Sequence, residues 1–117
     1  MPQAHVAMTV RPLGDVAIID VNGELTGFCE SVLMDAYGEA IQGEPKTVAI
    51  NFEALEYMNS GGIGLLVTML IRAQRNGQTL AAFGLTDHYR QIFTLTRLDE
   101  AIHIHESEQS LMGTALT

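Results

Sequence analysis

The chain has 117 residues, of which 47% are apolar, and its 14 carboxylates outnumber six Lys and Arg to give a formal net charge of −8. This length predicts one domain over residues 1–117, and the acidic balance disfavours nucleic-acid and membrane-surface binding while favouring a partner with a basic surface. The single cysteine, Cys29, excludes an internal disulfide and any multi-cysteine metal site, which fits a reducing, cytoplasmic compartment.

The first predicted elements are two strands that form a hairpin. In residues 5–13, apolar side chains alternate with smaller or polar ones, which is the period of a half-buried strand. Gly14-Asp15 is a turn signal, and the more apolar segment 16–21 follows as a second strand that Asn22-Gly23 ends.

Two amphipathic helices flank a third strand at residues 47–52. The first begins at Thr26 as N-cap and closes at Gly43. Its apolar stripe is Cys29, Val32, Leu33, Ala36, Tyr37, Ala40 and Ile41. The second follows residues 58–64 and ends at Asn76-Gly77 with a left-handed cap. Its expected core face is Ile63, Leu66, Val67, Leu70 and Ile71.

The remaining residues continue the alternation of strands and helices. A strand at 80–83 precedes a helix capped by Thr86 or Asp87, and a strand at 101–105 precedes a last helix capped by Ser107. This order predicts a single-domain α/β fold with a mixed, mostly parallel sheet of four to five strands, an N-terminal hairpin and about four helices.

The least ordinary stretch is the glycine-rich junction between the third strand and the second helix. Asn59 or Ser60 can cap the helix, and Gly61, Gly62 and Gly64 each cost about 0.5–1 kcal/mol relative to alanine in a helix. Either close packing against a neighbouring strand or the approach of an external group would offset that cost. Because a helix N-terminus favours anions, a phosphate on Ser60 or on a ligand would be stabilised here.

The other face of the second helix raises a second open question. Gly61, Leu65, Met69 and Arg72 lie about one turn apart and away from the expected core face. If Leu65 and Met69 are exposed, they form a docking surface with Ser60 at its edge. If another element covers them, the helix is buried on all sides.

No catalytic, cofactor or metal constellation stands out. His103 and His105 could share one face of a strand, but no third ligand is obvious except Glu106 or the distant His5 and His88, so solvated histidines are favoured. Cys29 falls on a buried stripe, which favours a packed residue over a nucleophile. The longest apolar stretch, 61–71, is about half of the ~20 residues that span a bilayer, and no secretory signal is visible. We therefore expect a non-enzymatic protein that needs no cofactor and does not bind a membrane by itself.

Residues 21–26, 51–66 and 84–99 form three stretches whose order and spacing resemble the STAS domain of bacterial anti-sigma-factor antagonists over nearly the whole chain. Residues 21–26 resemble its Gly-Glu-Leu-Asp segment, and 84–99 resemble the stretch that ends in Val-Phe-Glu-Leu-Thr-Gly-Leu. The most specific match is 51–66, where Tyr-Met-Asn-Ser-Gly-Gly-Ile-Gly is similar to the family's Phe-Ile-Asp-Ser-Ser-Gly-Leu-Gly.

The resemblance implies a small α/β domain that binds an anti-sigma factor and so releases a sigma factor, in transcriptional signalling. In the family, that partner is also a serine kinase, which uses ATP and magnesium. It phosphorylates a serine at the start of the second helix, and the phosphorylated domain no longer binds it. Here Gly61 stands at the usual phosphoacceptor position, and Asn59 replaces the family's Asp. The switch is therefore absent, or it has moved to Ser60.

We predict a protein–protein interaction regulator that antagonises an anti-sigma factor without the usual serine switch. The expected partner-binding residues are Asn59, Ser60, Gly61, Gly62, Leu65 and Met69, with Glu24 and Thr26 from the loop after the second strand. Two alternatives remain: a STAS-like subunit of a transporter assembly, and a small-ligand or nucleotide sensor. An exposed strand edge or helix patch could also support a homodimer.

Overall fold

A computed structural model describes residues 5–115, with side chains up to residue 113. The strands are β1 (Val6–Leu13), β2 (Val16–Leu25), β3 (Thr47–Met58), β4 (Thr79–Phe83) and β5 (Ile102–His105). The helices are α1 (Glu30–Ala40), α2 (Ser60–Arg75), α3 (Asp87–Leu95) and α4 (Glu108–Ala115). Short 3₁₀ turns occupy Gly27–Cys29, Ile41–Gly43 and Leu98–Glu100.

The sheet has the strand order β1-β2-β3-β4-β5 and confirms the predicted α/β fold. β1 and β2 form an antiparallel hairpin that turns at Gly14, whose φ is 68°, and the other neighbouring pairs are parallel. Parallel neighbours need crossover connections, and α1, α2 and α3 lie between the strands that they join.

β2 and β3 are longer than the sequence predicts. β2 continues through Asn22-Gly23 to Leu25, because its pairing with β3 absorbs two register shifts, after Asp20 and after Gly23. β4 pairs with β3 only as far as Asn51, so beyond this point β3 continues beside β2 alone, while β2 stays paired with β1 as far as Gly23. The turn signal at Asn22-Gly23 is thus overridden by the pairing of the two strands.

The core lies mainly on one face of the sheet. Side chains of α1, α2 and α3 pack there against alternate residues of β2, β3 and β4, and the predicted stripe of α1 is confirmed, with Val32 and Ile41 at its half-buried margin. On the other face, Leu111 of α4 covers a smaller cluster: Val16, Ile18, Ala49, Ala81 and Phe83. Ser107 caps this helix as predicted, since its hydroxyl accepts from the Ser110 N–H at 3.1 Å.

The predicted core face of α2 is wrong by a rotation of about one residue. Leu65 and Met69 are 6% and 0% exposed, whereas Val67 and Ile71 are 37% and 45% exposed. The buried set is Gly62, Leu65, Leu66, Met69, Leu70 and Ala73. Both sets have helical spacing, so periodicity alone could not choose between them. The choice follows from the close contact of Gly62 with β2, which fixes the rotation of the helix.

An ion-pair cluster ties α4 to the hairpin on the second face. The Arg11 guanidinium contacts the Asp20 carboxylate at 2.6 Å and the Glu108 carboxylate at 2.7 Å. Asp20 also accepts from the Asn51 amide at 2.8 Å. Hydrogen bonding to Arg11 lowers the pKa of Asp20, partly opposed by burial, and the same bonds raise the pKa of Arg11. Between residues 5 and 115, no helix combines the length and the apolar character that crossing a membrane requires.

Candidate partner-binding site

The ends of β2 and β3 bring two loops together. Glu24 lies opposite Tyr57, and Leu25 lies opposite Met58, so the chain leaves both strands at the same place. The Asn59 N–H then donates to the Leu25 carbonyl at 3.3 Å. The 3₁₀ turn Gly27–Cys29 and the first turn of α2 therefore become neighbours.

Side-chain caps fix both segments. The Asn59 side chain accepts from the Gly62 N–H at 3.0 Å, and it, rather than Ser60, is the N-cap of α2. The Thr26 hydroxyl accepts from the Phe28 N–H at 3.3 Å. The Cys29 thiol is buried and donates to the Glu24 carbonyl at 3.3 Å, so Cys29 is a packed residue of this turn.

Close packing accounts for two of the three glycines in the junction. A Cβ at Gly61 would lie 2.7 Å from the Gly27 nitrogen, and one at Gly62 would overlap the Leu25 carbonyl oxygen. Gly64 differs, because a Cβ there would meet nothing within 4 Å. The domain's own packing therefore explains Gly61 and Gly62, but it does not explain the third glycine.

An exposed surface surrounds this junction. Ser60 and Gly64 are exposed, and three apolar side chains of the segments that meet here are open to solvent: Phe28 at 63%, Tyr57 at 48% and Val67 at 37%. We call these five residues the docking tip. Of these five residues, only Ser60 is among the predicted binding residues. The signal that could have found Phe28 is its place outside the stripe of α1, since a large aromatic side chain outside the core is exposed to solvent.

The structure brings some of the predicted binding residues together and separates others. Glu24, Thr26, Asn59, Ser60 and Gly61 are half-buried or exposed around the junction. Gly62, Leu65 and Met69 are buried, so the expectation that Leu65 and Met69 present a docking surface is wrong. These two side chains pack in the core and cannot contact a partner directly.

Comparison with known proteins identifies the fold. The family model described as "Mlab, STAS domain" matches residues 8–106. The chain belongs to the STAS domain family. The resemblance found in the sequence is thereby confirmed over most of the chain.

Relatives of this STAS domain include anti-sigma factor antagonists. The anti-sigma-B factor antagonist of Staphylococcus aureus is 28% identical over 91 residues, which are 78% of this chain and 84% of that protein. An anti-sigma factor antagonist from Mycobacterium paratuberculosis has a TM-score of 0.81 at 18% identity, covering 96% of this chain and 95% of its own. A sulfate transporter family protein from Wolinella succinogenes has a TM-score of 0.72 at 15% identity, covering 91% and 89%.

A tyrosine of α3 supports the junction of this STAS domain from the other side. The Tyr89 hydroxyl accepts from the Met58 N–H at 2.9 Å, one residue before the cap of α2. Beyond Asn51 this edge of β3 has lost its neighbour β4. The tyrosine thus satisfies a main-chain donor that no strand reaches, and it holds the start of α2 against α3.

The segments that form the docking tip carry only negative formal charge. Residues 22–30 and 53–68 contain Glu24, Glu30, Glu53 and Glu56 but no Lys or Arg. A surface of this sign attracts a basic partner surface and repels an acidic one.

The two histidines singled out in the sequence lie on the sheet face that α4 partly covers. His103 and His105 stand opposite Ala81 and Phe83, and burial, together with the neighbouring His103, lowers the pKa of His105. Among residues 5–115, no group of three or more His, Cys, Asp or Glu side chains could hold a metal ion.

Proposed function

We propose that this STAS domain is an anti-sigma-factor antagonist that binds its partner through the docking tip. The observation that carries the proposal is the solvent-exposed apolar surface, of which Phe28 is the most exposed side chain. The first turns of α2 lie in the same region, and Gly64 leaves open space there. A partner surface can approach the backbone of α2 there. Binding occupies the anti-sigma factor in the cytoplasm and frees the sigma factor.

Charge and shape together define the partner surface. It is basic, to complement four glutamates in the segments that form the tip, and it carries an apolar recess for Phe28. Aromatic side chains that enter such recesses commonly contribute most of the binding free energy. The glutamates mainly set the rate of association and the choice of partner, whereas Phe28 sets the affinity.

The proposed antagonist lacks the usual phosphorylation switch. The backbone at Gly27 occupies the space that a side chain at position 61 would need, so the close packing of this turn explains the glycine there. Ser60 is exposed, but it stands one residue before the usual acceptor. The partner kinase, with its ATP and magnesium, therefore leaves this chain unmodified, and the complex is regulated by the amounts of the two proteins.

A second candidate function is membership of a transporter assembly, for which the fold shared with a sulfate transporter family protein is the supporting observation. The third alternative, a ligand or nucleotide sensor, is less favoured. The chain's own backbone at Leu25 and Gly27 occupies the room beside Gly61 and Gly62 that a ligand would need.

Affinity capture from the native host, followed by mass spectrometry, distinguishes these functions. Recovery of an anti-sigma factor supports the proposal, and recovery of transporter subunits replaces it with the second candidate. Nucleotide-dependent melting at micromolar concentration without a captured protein favours the sensor.

Calorimetry with the purified partner then locates the surface. We expect Phe28→Asp to weaken binding at least about tenfold, because the aromatic anchor is lost and a charge is added. The matched control is Leu95→Asp, which changes a side chain that is 83% exposed at the end of α3. Equal affinities for the two variants would contradict the assignment of the docking tip.

Intact-mass measurement tests the missing switch. After incubation with the captured kinase, ATP and magnesium, we expect the mass of the chain to be unchanged. ATP binding by the kinase, followed with a fluorescent analogue, is the control for its competence. A gain of one phosphate at Ser60 would overturn this part of the proposal.

A further inference from the structure

The β1 strand is an edge of the sheet, and the register of the hairpin shows which of its main-chain groups face outward. The Glu24 N–H donates to the His5 carbonyl at 2.9 Å, so His5 and every second residue after it bond inward to β2. The N–H and C=O groups of Val6, Met8 and Val10 therefore point away from the sheet. Within residues 5–115, no hydrogen bond reaches these groups.

α1 packs against one face of β1, and Arg11 and Pro12 lie at its far end, but the outward main-chain groups of residues 6–10 have little of the protection that edge strands usually carry. Exposed edges are normally blunted by charged side chains, by proline or by a covering element. Residues 6–10 contain no charge and no proline, and Val6, Met8 and Val10 are only half-buried against the core. The fourth outward position is Pro12, which has no N–H and ends the run of free donors.

We propose that a second copy of this chain pairs with this edge, antiparallel and centred on Met8. In this register Val6 lies opposite Val10 of the second copy, and Met8 lies opposite Met8. Each of the three pairs exchanges two main-chain bonds, for about six in all. Centring the two-fold axis on Val10 instead would place Met8 opposite Pro12 and lose donors in both copies.

The edge is complementary to itself, which argues for a second copy rather than a strand of another protein. On the helix side of the sheet the opposed pairs are all apolar, and on the other side Ala7 lies opposite Thr9 and His5 lies opposite Arg11. No carboxylate opposes a carboxylate along the strand, and an isologous contact of this kind closes as a dimer. The repulsion between two chains of −8 keeps the dimer weak at low ionic strength.

Disulfide trapping tests the register directly. Ala7 and Thr9 are exposed, and in the proposed dimer they form pairs without hydrogen bonds, with Cα atoms about 4.5 Å apart, within reach of a disulfide. We expect a mixture of the Ala7→Cys and Thr9→Cys proteins to give an oxidised dimer, whereas neither protein alone does so. Cys29 is buried and does not compete.

Sedimentation gives the independent test. From about 1 µM to about 1 mM, we expect the mass to rise toward twice the chain's 12.7 kDa, and dimerisation to strengthen between about 0.05 M and about 0.5 M salt. Met8→Pro removes an outward donor from each copy and weakens the dimer more than about tenfold, whereas Met8→Leu keeps the donor and the dimer.

Either of two results would overturn the proposal. The first is a monomer at every concentration and salt. The second is a dimer for which the Ala7→Cys and Thr9→Cys proteins form no mixed disulfide and the folded Met8→Pro protein dimerises with unchanged affinity. Circular dichroism verifies the folding of the proline variant, and the disulfide result does not depend on that variant.

Discussion

Replacing Gly64 with alanine should have opposite effects on stability and on binding. A Cβ at this position meets nothing within 4 Å, and the residue lies inside the 16-residue helix α2. The change removes the backbone entropy cost of a helical glycine without creating a clash. We expect the free energy of unfolding to rise by about 0.5–1 kcal/mol, which raises the melting temperature by about 2–6 °C.

Binding should respond in the other direction if a partner approaches the backbone at Gly64. An extra methyl group in a closely packed contact costs about 1–3 kcal/mol, so the partner should bind about 5- to 150-fold more weakly. Thermal unfolding and calorimetry with the captured partner measure the two effects on the same preparation.

Gly38→Ala is the matched control. Gly38 lies in α1, is exposed, and also has nothing within 4 Å of its missing Cβ. We expect the same gain in stability with no loss of affinity. If both variants bind equally well, the partner does not contact Gly64 and the reasoning that gives this glycine a role in docking fails. If Gly64→Ala destabilises the domain, its surroundings are not open as described.

Two further predictions follow from burial and charge. Leu65→Asp should lower the free energy of unfolding by at least about 3 kcal/mol and unfold much of the protein, because it puts a charge in the core. Val67→Asp should change this free energy by less than about 1 kcal/mol and weaken partner binding. Denaturant titration measures both stabilities, and a stable Leu65→Asp protein would put this side chain outside the core. Because Arg11 depresses the folded-state pKa of Asp20, the stability from this contact is present above the unfolded pKa of about 3.9 and is lost as pH falls through the lower folded value. Asp20→Asn should therefore lose less stability than wild type as the pH falls below about 4, and parallel acid-unfolding curves for the two proteins would contradict this.

The sequence by itself determined the order of the elements and the candidate capping residues, although Thr26 caps the 3₁₀ turn before α1 rather than α1 itself, and Asn59 is one of two candidates for α2. The side chains of Thr26 and Asn59 accept hydrogen bonds from N–H groups two or three residues away in the chain, so capping depends on the local sequence. The alternation that predicts the hairpin is equally local. These features depend on neighbours along the chain, and sequence reasoning reaches them directly.

The tertiary structure decided the rotation of α2, the extent of β2 and β3, and the position of the docking tip. α2 is apolar on more than one side, so two faces had helical spacing, and the buried one is the face on which Gly62 packs against the Leu25 carbonyl. Phe28 is exposed on a turn whose Gly27 packs against Gly61, 34 residues further along the chain. Such contacts join residues far apart in the chain, and their geometry exists only once the sheet has formed.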